Sequence, residues 1–331
     1  MIITRTPFRV SFFGGGTDYP AWYREHGGAV LSTTINKYCY ISCRYLPPFF
    51  EHKHRIVYSK IENVRDISHI EHPAVRGVLG SMGWESGIEI HHDGDLPARS
   101  GLGSSSSFTV GLIHALHALR GRHVSKHDLA REAIHVEQEV IGESVGSQDQ
   151  VAASYGGLNR IDFRVDEGFE VRPIVLSRDR RAELHGHLML CFTGLSRFAH
   201  EVARSQLANF SRRRAELQRM RGLVDAALAL LHDSGLPIAG FGRLLAEAWE
   251  CKRSLSDQVS TPEIDRIYDA ARSCGAIGGK LLGAGGGGFL LLFAPPDAQP
   301  GIRKRLENLV HVPFEFDTDG SRVVLYQPDG L

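Results

Sequence analysis

The stretch "DLPARSGLGSSSSFTVGLIHALHALRG", residues 95–121, sets a glycine turn and four consecutive serines directly against a long apolar run. In that run Phe108, Leu112, Ile113, Leu116 and Leu119 keep helical spacing, and Gly121 is placed to stop the helix. A flexible serine linker has no need to lead straight into a packed helix. The first N–H groups of a helix lack partners within it and carry a partial positive charge. Gly101 and Gly103 let the main chain approach a ligand closely, and the serines at 104–107 add hydroxyls at the same place. Together these residue types describe a phosphate cradle. Two familiar patterns do not fit it. No lysine follows Gly103, and Ser106 stands at the third glycine position of GxGxxG. Gly283, Gly285 and Gly288 meet that spacing, but the following "FLLLF" reads as a strand where a helix is required.

Around this turn the pattern is α+β. The first hundred residues hold short β-branched or aromatic runs ("MIITRTPFRVSFF", "GAVLSTTI", "KYCYISCRYL", "HRIVYS", "GIEIHHDGD") between Gly, Pro and charged breaks. A second helix starts near Ser125, which forms a capping pattern with Asp128. "GHLMLCFTG" and "GGFLLLFA" read as apolar strands. Between them lie a long charged helix from about 201 to 232, then "FGRLLAEAWECKRSL", then "TPEIDRIYDAARSCG" with Pro262 in its first turn. A second α+β half is expected to begin near residue 180.

Composition excludes several classes. Basic and acidic side chains balance at 38 each, so no global field favours nucleic acid or anionic lipid. No apolar run is long enough for a membrane span, and the N-terminus lacks the layout of a secretory signal. Cys39, Cys43, Cys191, Cys251 and Cys274 are scattered and odd in number, which suits free thiols in the cytoplasm. The histidine pairs "EHKH" and "HH" lack the partner spacing of a structural metal site.

Two further glycine-rich stretches stand out. "PFRVSFFGGGTDYP" joins a strand to three glycines and Asp18, and "GGKLLGAGGGGFLLLF" reads as a helix, a glycine loop and an apolar strand. Glycine loops cost backbone entropy, so three of them mark three places of close backbone approach. In order and position these stretches resemble the three motifs of the GHMP kinases, small-molecule kinases named for galactose, homoserine, mevalonate and phosphomevalonate. The middle motif there has the form P-x3-GLGSS, matched here by Pro97, Gly101, Leu102, Gly103, Ser104 and Ser105. "RTPFRVSFFGGGTDYPAWYREHGGAVLSTTINKYCY" is most similar to bacterial heptose-7-phosphate 1-kinases, which act in nucleotide-activated heptose biosynthesis for surface polysaccharide. Fucokinase-like domains carry a related version.

The resemblance implies a two-domain α+β kinase, with an ATP-binding N-terminal domain over 1–180, a C-terminal domain over 181–331 and the active site between them. It implies ATP and Mg²⁺, a sugar phosphate acceptor phosphorylated at C1, and a monomer or homodimer. The turn holding Pro97, Gly101, Leu102, Gly103, Ser104, Ser105 and Ser106 would wrap the ATP phosphates. Ser105 and Glu137 would hold the metal, with Glu139 facing solvent. Asp149 would take the acceptor's proton, with Arg9 beside it. Gly15, Gly16, Thr17, Asp18, Gly286 and Arg197 would serve the acceptor, Arg197 following Thr193 just after a strand. The third glycine loop would pack against the first. Read without the resemblance, Asp149 is equally a capping aspartate, Asp18 an Asx-turn residue and Arg9 a solvated strand-edge residue. Lys280 is either a phosphate contact or a helix C-cap. A kinase for a free fucose- or galactose-type sugar, and a catalytically silent sugar sensor on the same fold, are the alternative functions.

Overall fold

The computed structural model describes residues 1–98, 100–195 and 199–328. Among these residues the strands form a nine-stranded sheet and a four-stranded sheet. In the large sheet the first strand, Ile2–Phe13, pairs antiparallel with the long second strand, Gly28–Tyr45. Their β-branched and aromatic runs suit a pleated surface. Burial alternates only over its first residues, and every residue from Thr6 to Phe13 is buried. Both faces are covered: Phe8, Val10 and Phe12 enter the main core, while Arg9 lies under the glycine–serine turn, its N–H donating to Leu102 O at 3.0 Å. Arg9 is 4% exposed and is therefore no solvated edge residue.

The serine helix spans Ser104–Leu119 and is buried nearly all round, as a helix packed on both the first and second strands must be. It ends where the sequence expects, with Gly121 at φ +67°. Ser125 caps the next helix, Lys126–His135: its Oγ accepts from Asp128 N at 3.1 Å. That helix runs into a π-helical turn, Val136–Val140, which the sequence does not announce. The wider turn brings Val136 and Glu137 inward together, while Glu139 is exposed as expected.

The small sheet holds Leu188–Phe192, Phe289–Phe293 and Gly278–Leu281, with Val310–His311 at its edge. Residues 278–281 are thus a strand paired with the apolar one (Leu281 opposite Leu290), and the helix read ahead of the third glycine loop is corrected to a hairpin arm. Its helical precursor, Pro262–Ser273, stops earlier, capped by Thr261 with Pro262 in the first turn as expected. The long charged helix is broken into Ala199–Asn209 and Arg214–His232, with a 3-10 turn between them.

The division at 180/181 does not describe the sheets. Arg322–Tyr326 returns to pair with the first strand, and Phe316–Asp317 pairs with the second. The core is continuous as well: Phe241, on the helix Ala239–Arg253, meets Phe12 and Phe13 edge-on at 5.4 and 5.0 Å.

The returning strand is tied to the serine helix through His114, whose Nδ1 lies 3.0 Å from Ser321 Oγ. Burial, with His117 nearby, pushes the imidazole down from 6.5 to about 4. The folded state therefore favours neutral His114, and its stability falls as pH drops from about 6.5 towards 4, where only the unfolded chain takes the proton. After discounting for partial exposure this amounts to about 2 kcal/mol. In urea titrations at pH 7.5 and 4.5, His114→Gln is expected to lose about 2 kcal/mol less than the parent between the two pH values. Equal losses would rule out His114 as an acid-labile link.

Candidate active site

The three glycine-rich stretches converge on one cleft of about 490 Å³. Its floor is the first strand with Arg9 and Ser11, and one wall is the turn bearing Gly101, Gly103, Ser104, Ser105 and Ser106. The opposite wall includes Gly15, Gly16 and Asp18, with the loop 142–146 and Asp149 between them. The third glycine loop packs on the middle loop. A Cβ on Gly101 would sit 2.6 Å from Leu282 O, and one on Gly283 would overlap the Gly101 main chain. Phe289 N donates to Ser100 O at 3.0 Å across the same seam.

Arg9 and Asp149 form a two-pronged ion pair, Nε to Oδ1 at 2.7 Å and Nη2 to Oδ2 at 2.8 Å. The remaining arm of Arg9, Nη1, donates to Gly101 O at 2.7 Å. One guanidinium thus ties the carboxylate to the turn. Asp149 stands in the first turn of the helix Gln148–Tyr155, which favours its negative charge. Its side chain keeps 23% of its surface against 5% for Arg9, and its oxygens retain lone pairs for another donor.

Asp18 is 1% exposed and held by main-chain donors: Gly16 N to Oδ1 at 2.8 Å and Gln148 N to Oδ2 at 3.3 Å. Burial, followed by the charge of Asp149, raises its pKa. Thr17 does not reach the cleft. It is fully buried, its hydroxyl donating to Gly14 O at 2.8 Å and accepting from Ala29 N at 3.1 Å, so it fixes the turn that presents Asp18.

Glu137 lies behind the serine turn, 1% exposed. The hydroxyl it meets belongs to Ser106, 2.8 Å from Oε2, which also accepts from Gln150 Nε2. Ser105 is exposed and lines the cleft one residue earlier. Glu137 Oε1 is buried without a hydrogen-bond partner, and burial pushes the carboxyl up to about 7. A buried carboxylate with an orphan oxygen beside a serine hydroxyl is a set of hard oxygen donors and fits magnesium. Pro97 is exposed and outside the lining, Leu102 is buried beneath the turn, and Gly286 is engaged through its N–H with Val259 O at 2.9 Å. Arg197 lies outside the described residues.

Two cleft residues carry more than the sequence suggested. Lys280 is on a strand, so it caps no helix, and its Nζ donates to Phe12 O at 3.0 Å. Lys252, on the helix Ala239–Arg253, went unread because its neighbourhood "WECKRSL" looks like an ordinary charged helix face. Its Nζ donates to Leu281 O at 2.9 Å and to Gly283 O.

This chain matches the GHMP kinases N terminal domain over residues 69–157 and the GHMP kinases C terminal domain over residues 223–311. It belongs to the GHMP kinases. It is accordingly an enzyme, a phosphotransferase with an alcohol group as acceptor, built on the family's two-domain α+β fold. It is 29% identical over 323 residues to the D-glycero-alpha-D-manno-heptose 7-phosphate kinase of Campylobacter jejuni, a match covering 92% of this chain and 93% of that protein. The bifunctional fucokinase/GDP-fucose pyrophosphorylase of Arabidopsis thaliana is 26% identical over 338 residues, 93% of this chain but 31% of that one. Among solved structures, a D-glycero-D-manno-heptose 1-phosphate kinase from Bacteroides thetaiotaomicron superposes with a TM-score of 0.78 at 25% identity, over 98% of both chains. No helix among the described residues is long and apolar enough to cross a membrane.

The seat of Asp18 can be tested by sterics alone. A Cβ on Gly146 would overlap Asp18 Oδ2, whereas one on Gly80 would meet nothing within 4 Å. Gly146→Ala is expected to lower kcat/KM about tenfold or more while costing about 1–3 kcal/mol of stability. Gly80→Ala should leave activity intact. Full activity in Gly146→Ala would show that the position of Asp18 does not matter.

Proposed function

We propose that this chain is a sugar kinase that transfers the γ-phosphoryl group of ATP to the anomeric C1 hydroxyl of D-glycero-D-manno-heptose 7-phosphate. The observation that carries the reaction is the Arg9–Asp149 pair at the foot of the glycine–serine turn. The acceptor is chosen from the relatives. Likeness to a heptose phosphate kinase runs over nearly the full length of both chains, while the fucokinase match covers a third of a larger protein.

Phosphoryl transfer needs positioning and charge stabilisation more than covalent help. In this reading, the main chain of the turn and the N-terminus of the serine helix hold the phosphates. The acceptor oxygen bonds to the γ-phosphorus as its proton passes to Asp149, the bond to the bridging oxygen breaks, and ADP leaves. Arg9 orients Asp149 and offsets charge on the group in transfer. Asp18, with one main-chain donor on each oxygen, has lone pairs left for sugar hydroxyls. Ser106 with Glu137, in place of the expected Ser105, would hold the magnesium ion, which when bound neutralises phosphate charge.

A coupled assay of ATP consumption over heptose 7-phosphate, free heptose, fucose and galactose tests the acceptor, with the product's ³¹P spectrum reporting the phosphorylated carbon. Heptose 7-phosphate is expected to give the highest kcat/KM and an anomeric phosphate; preference for a free sugar overturns the choice.

Asp149→Asn is expected to lower kcat by about 10²–10⁴-fold while an ATP analogue still binds. Near-normal turnover would remove Asp149 as the base. Glu137→Gln is expected to raise the magnesium concentration needed for half-maximal rate by about tenfold or more, and an unchanged magnesium curve would remove Glu137 as a ligand.

A further inference from the structure

Lys252 and Lys280 are 6% and 3% exposed, and both line the cleft. Among the described residues neither forms an ion pair. Lys280 reaches it from a strand of the small sheet and Lys252 from the helix beside it, so two separate elements deliver an ammonium to one place. Their hydrogen-bond partners are main-chain carbonyls only: Phe12 O for Lys280, Leu281 O and Gly283 O for Lys252. An ammonium has three donors, so Lys280 keeps two and Lys252 one for another acceptor. A buried charge without a counter-charge is costly unless a ligand supplies one.

The nearby carboxylates are already engaged. Asp149 is held on both oxygens by Arg9, and Asp18 takes main-chain N–H groups. Lys280 holds the first strand at Phe12 O, just ahead of the turn that presents Asp18, and Lys252 holds the third glycine loop at Gly283 O. The pair therefore spans the cleft from the Asp18 turn, the acceptor side of the proposed reading, to the loop that packs on Gly101.

We infer that Lys252 and Lys280 form the subsite for the non-reacting phosphate of a phosphorylated sugar acceptor. This rests on the proposed sugar kinase reading and deepens it: the paired cations make the enzyme select a phosphorylated sugar over the free one. Burial, together with the Arg9 charge, lowers Lys280 to about 7 in the empty cleft. The groups facing it are Arg9 on the first strand, Asp18 on the following turn and Lys252 on the neighbouring helix. A phosphate dianion placed there favours the protonated form, so binding at pH 8 takes up a proton that binding at pH 6 does not.

The test compares D-glycero-D-manno-heptose 7-phosphate with free D-glycero-D-manno-heptose in the parent enzyme, Lys280→Met, Lys280→Gln and Lys252→Met. Removal of either charge is expected to raise KM for the phosphorylated sugar by about ten- to a hundredfold, and KM for ATP and for free heptose by at least tenfold less than that. Calorimetry of heptose 7-phosphate binding in buffers of different ionisation heat should show proton uptake at pH 8 in the parent and none in Lys280→Met. Thermal melts establish that each variant is folded. If the parent uses heptose 7-phosphate and the variants keep its KM, or lose ATP and sugar phosphate alike, the subsite is wrong and the sugar kinase reading stands. If the parent accepts only free sugars, the reading of the acceptor fails first, and the subsite with it.

Discussion

The architecture of the cleft depends on one contact, the meeting of two glycine turns. Gly101 has φ +84° and Gly283 φ +71°, and each occupies space that the other's side chain would need. Because neither has a side chain, main chain lies against main chain. The serine turn is clamped from above by the hairpin of the small sheet, Phe289 N to Ser100 O, and from below by the first strand, Arg9 N to Leu102 O. Both clamps are main-chain hydrogen bonds from elements that belong to rigid sheets. The N–H groups at the start of the serine helix are therefore held in position by the fold itself.

Arg9 carries that order across to Asp149. Two of its nitrogens hold Asp149 and the third holds Gly101 O, so the carboxylate and the glycine–serine turn share one planar, rigid connector. A lysine could fill the charge but not the geometry. A Cβ on Gly103 would meet both Arg9 Cγ and Asp149 Cγ at 3.3 Å, so the turn also packs against the pair it is tied to. A bulkier residue at Gly103 would press on both members of the pair and push the carboxylate out of place.

Much of this was legible in the sequence, because glycines, caps and apolar spacing are local signals. The serine helix, its stop at Gly121, the Ser125 cap and Pro262 in a first turn all stand where local rules put them. The misreadings arise where the signal is not local. "GGKLL" has no strand signature of its own and becomes a strand only because Leu281 finds Leu290 across the hairpin. The return of Arg322–Tyr326 to the first strand depends on a partner some three hundred residues away, so no window of sequence shows it. That the hydroxyl bonded to Glu137 is Ser106 rather than its neighbour depends on the phase of the helix and the π turn around Glu137, and a run of identical serines hides that phase. Lys252 lies between Glu250 and Arg253 in what looks like a solvated face, and only the three-dimensional packing shows that this lysine turns inward.

Two buried lysines and a guanidinium face one cleft, and burial together with the Arg9 charge lowers the pKa of both lysines, so holding either one protonated is costly without an anion beside it. Backbone carbonyls of Phe12, Leu281 and Gly283 ease the desolvation but supply no net charge. These carbonyls sit on three elements, Phe12 on the first strand, Leu281 on a strand of the small sheet and Gly283 on the third glycine loop, so Lys280 stitches the two sheets together at the cleft and Lys252 stitches its helix to the small sheet there.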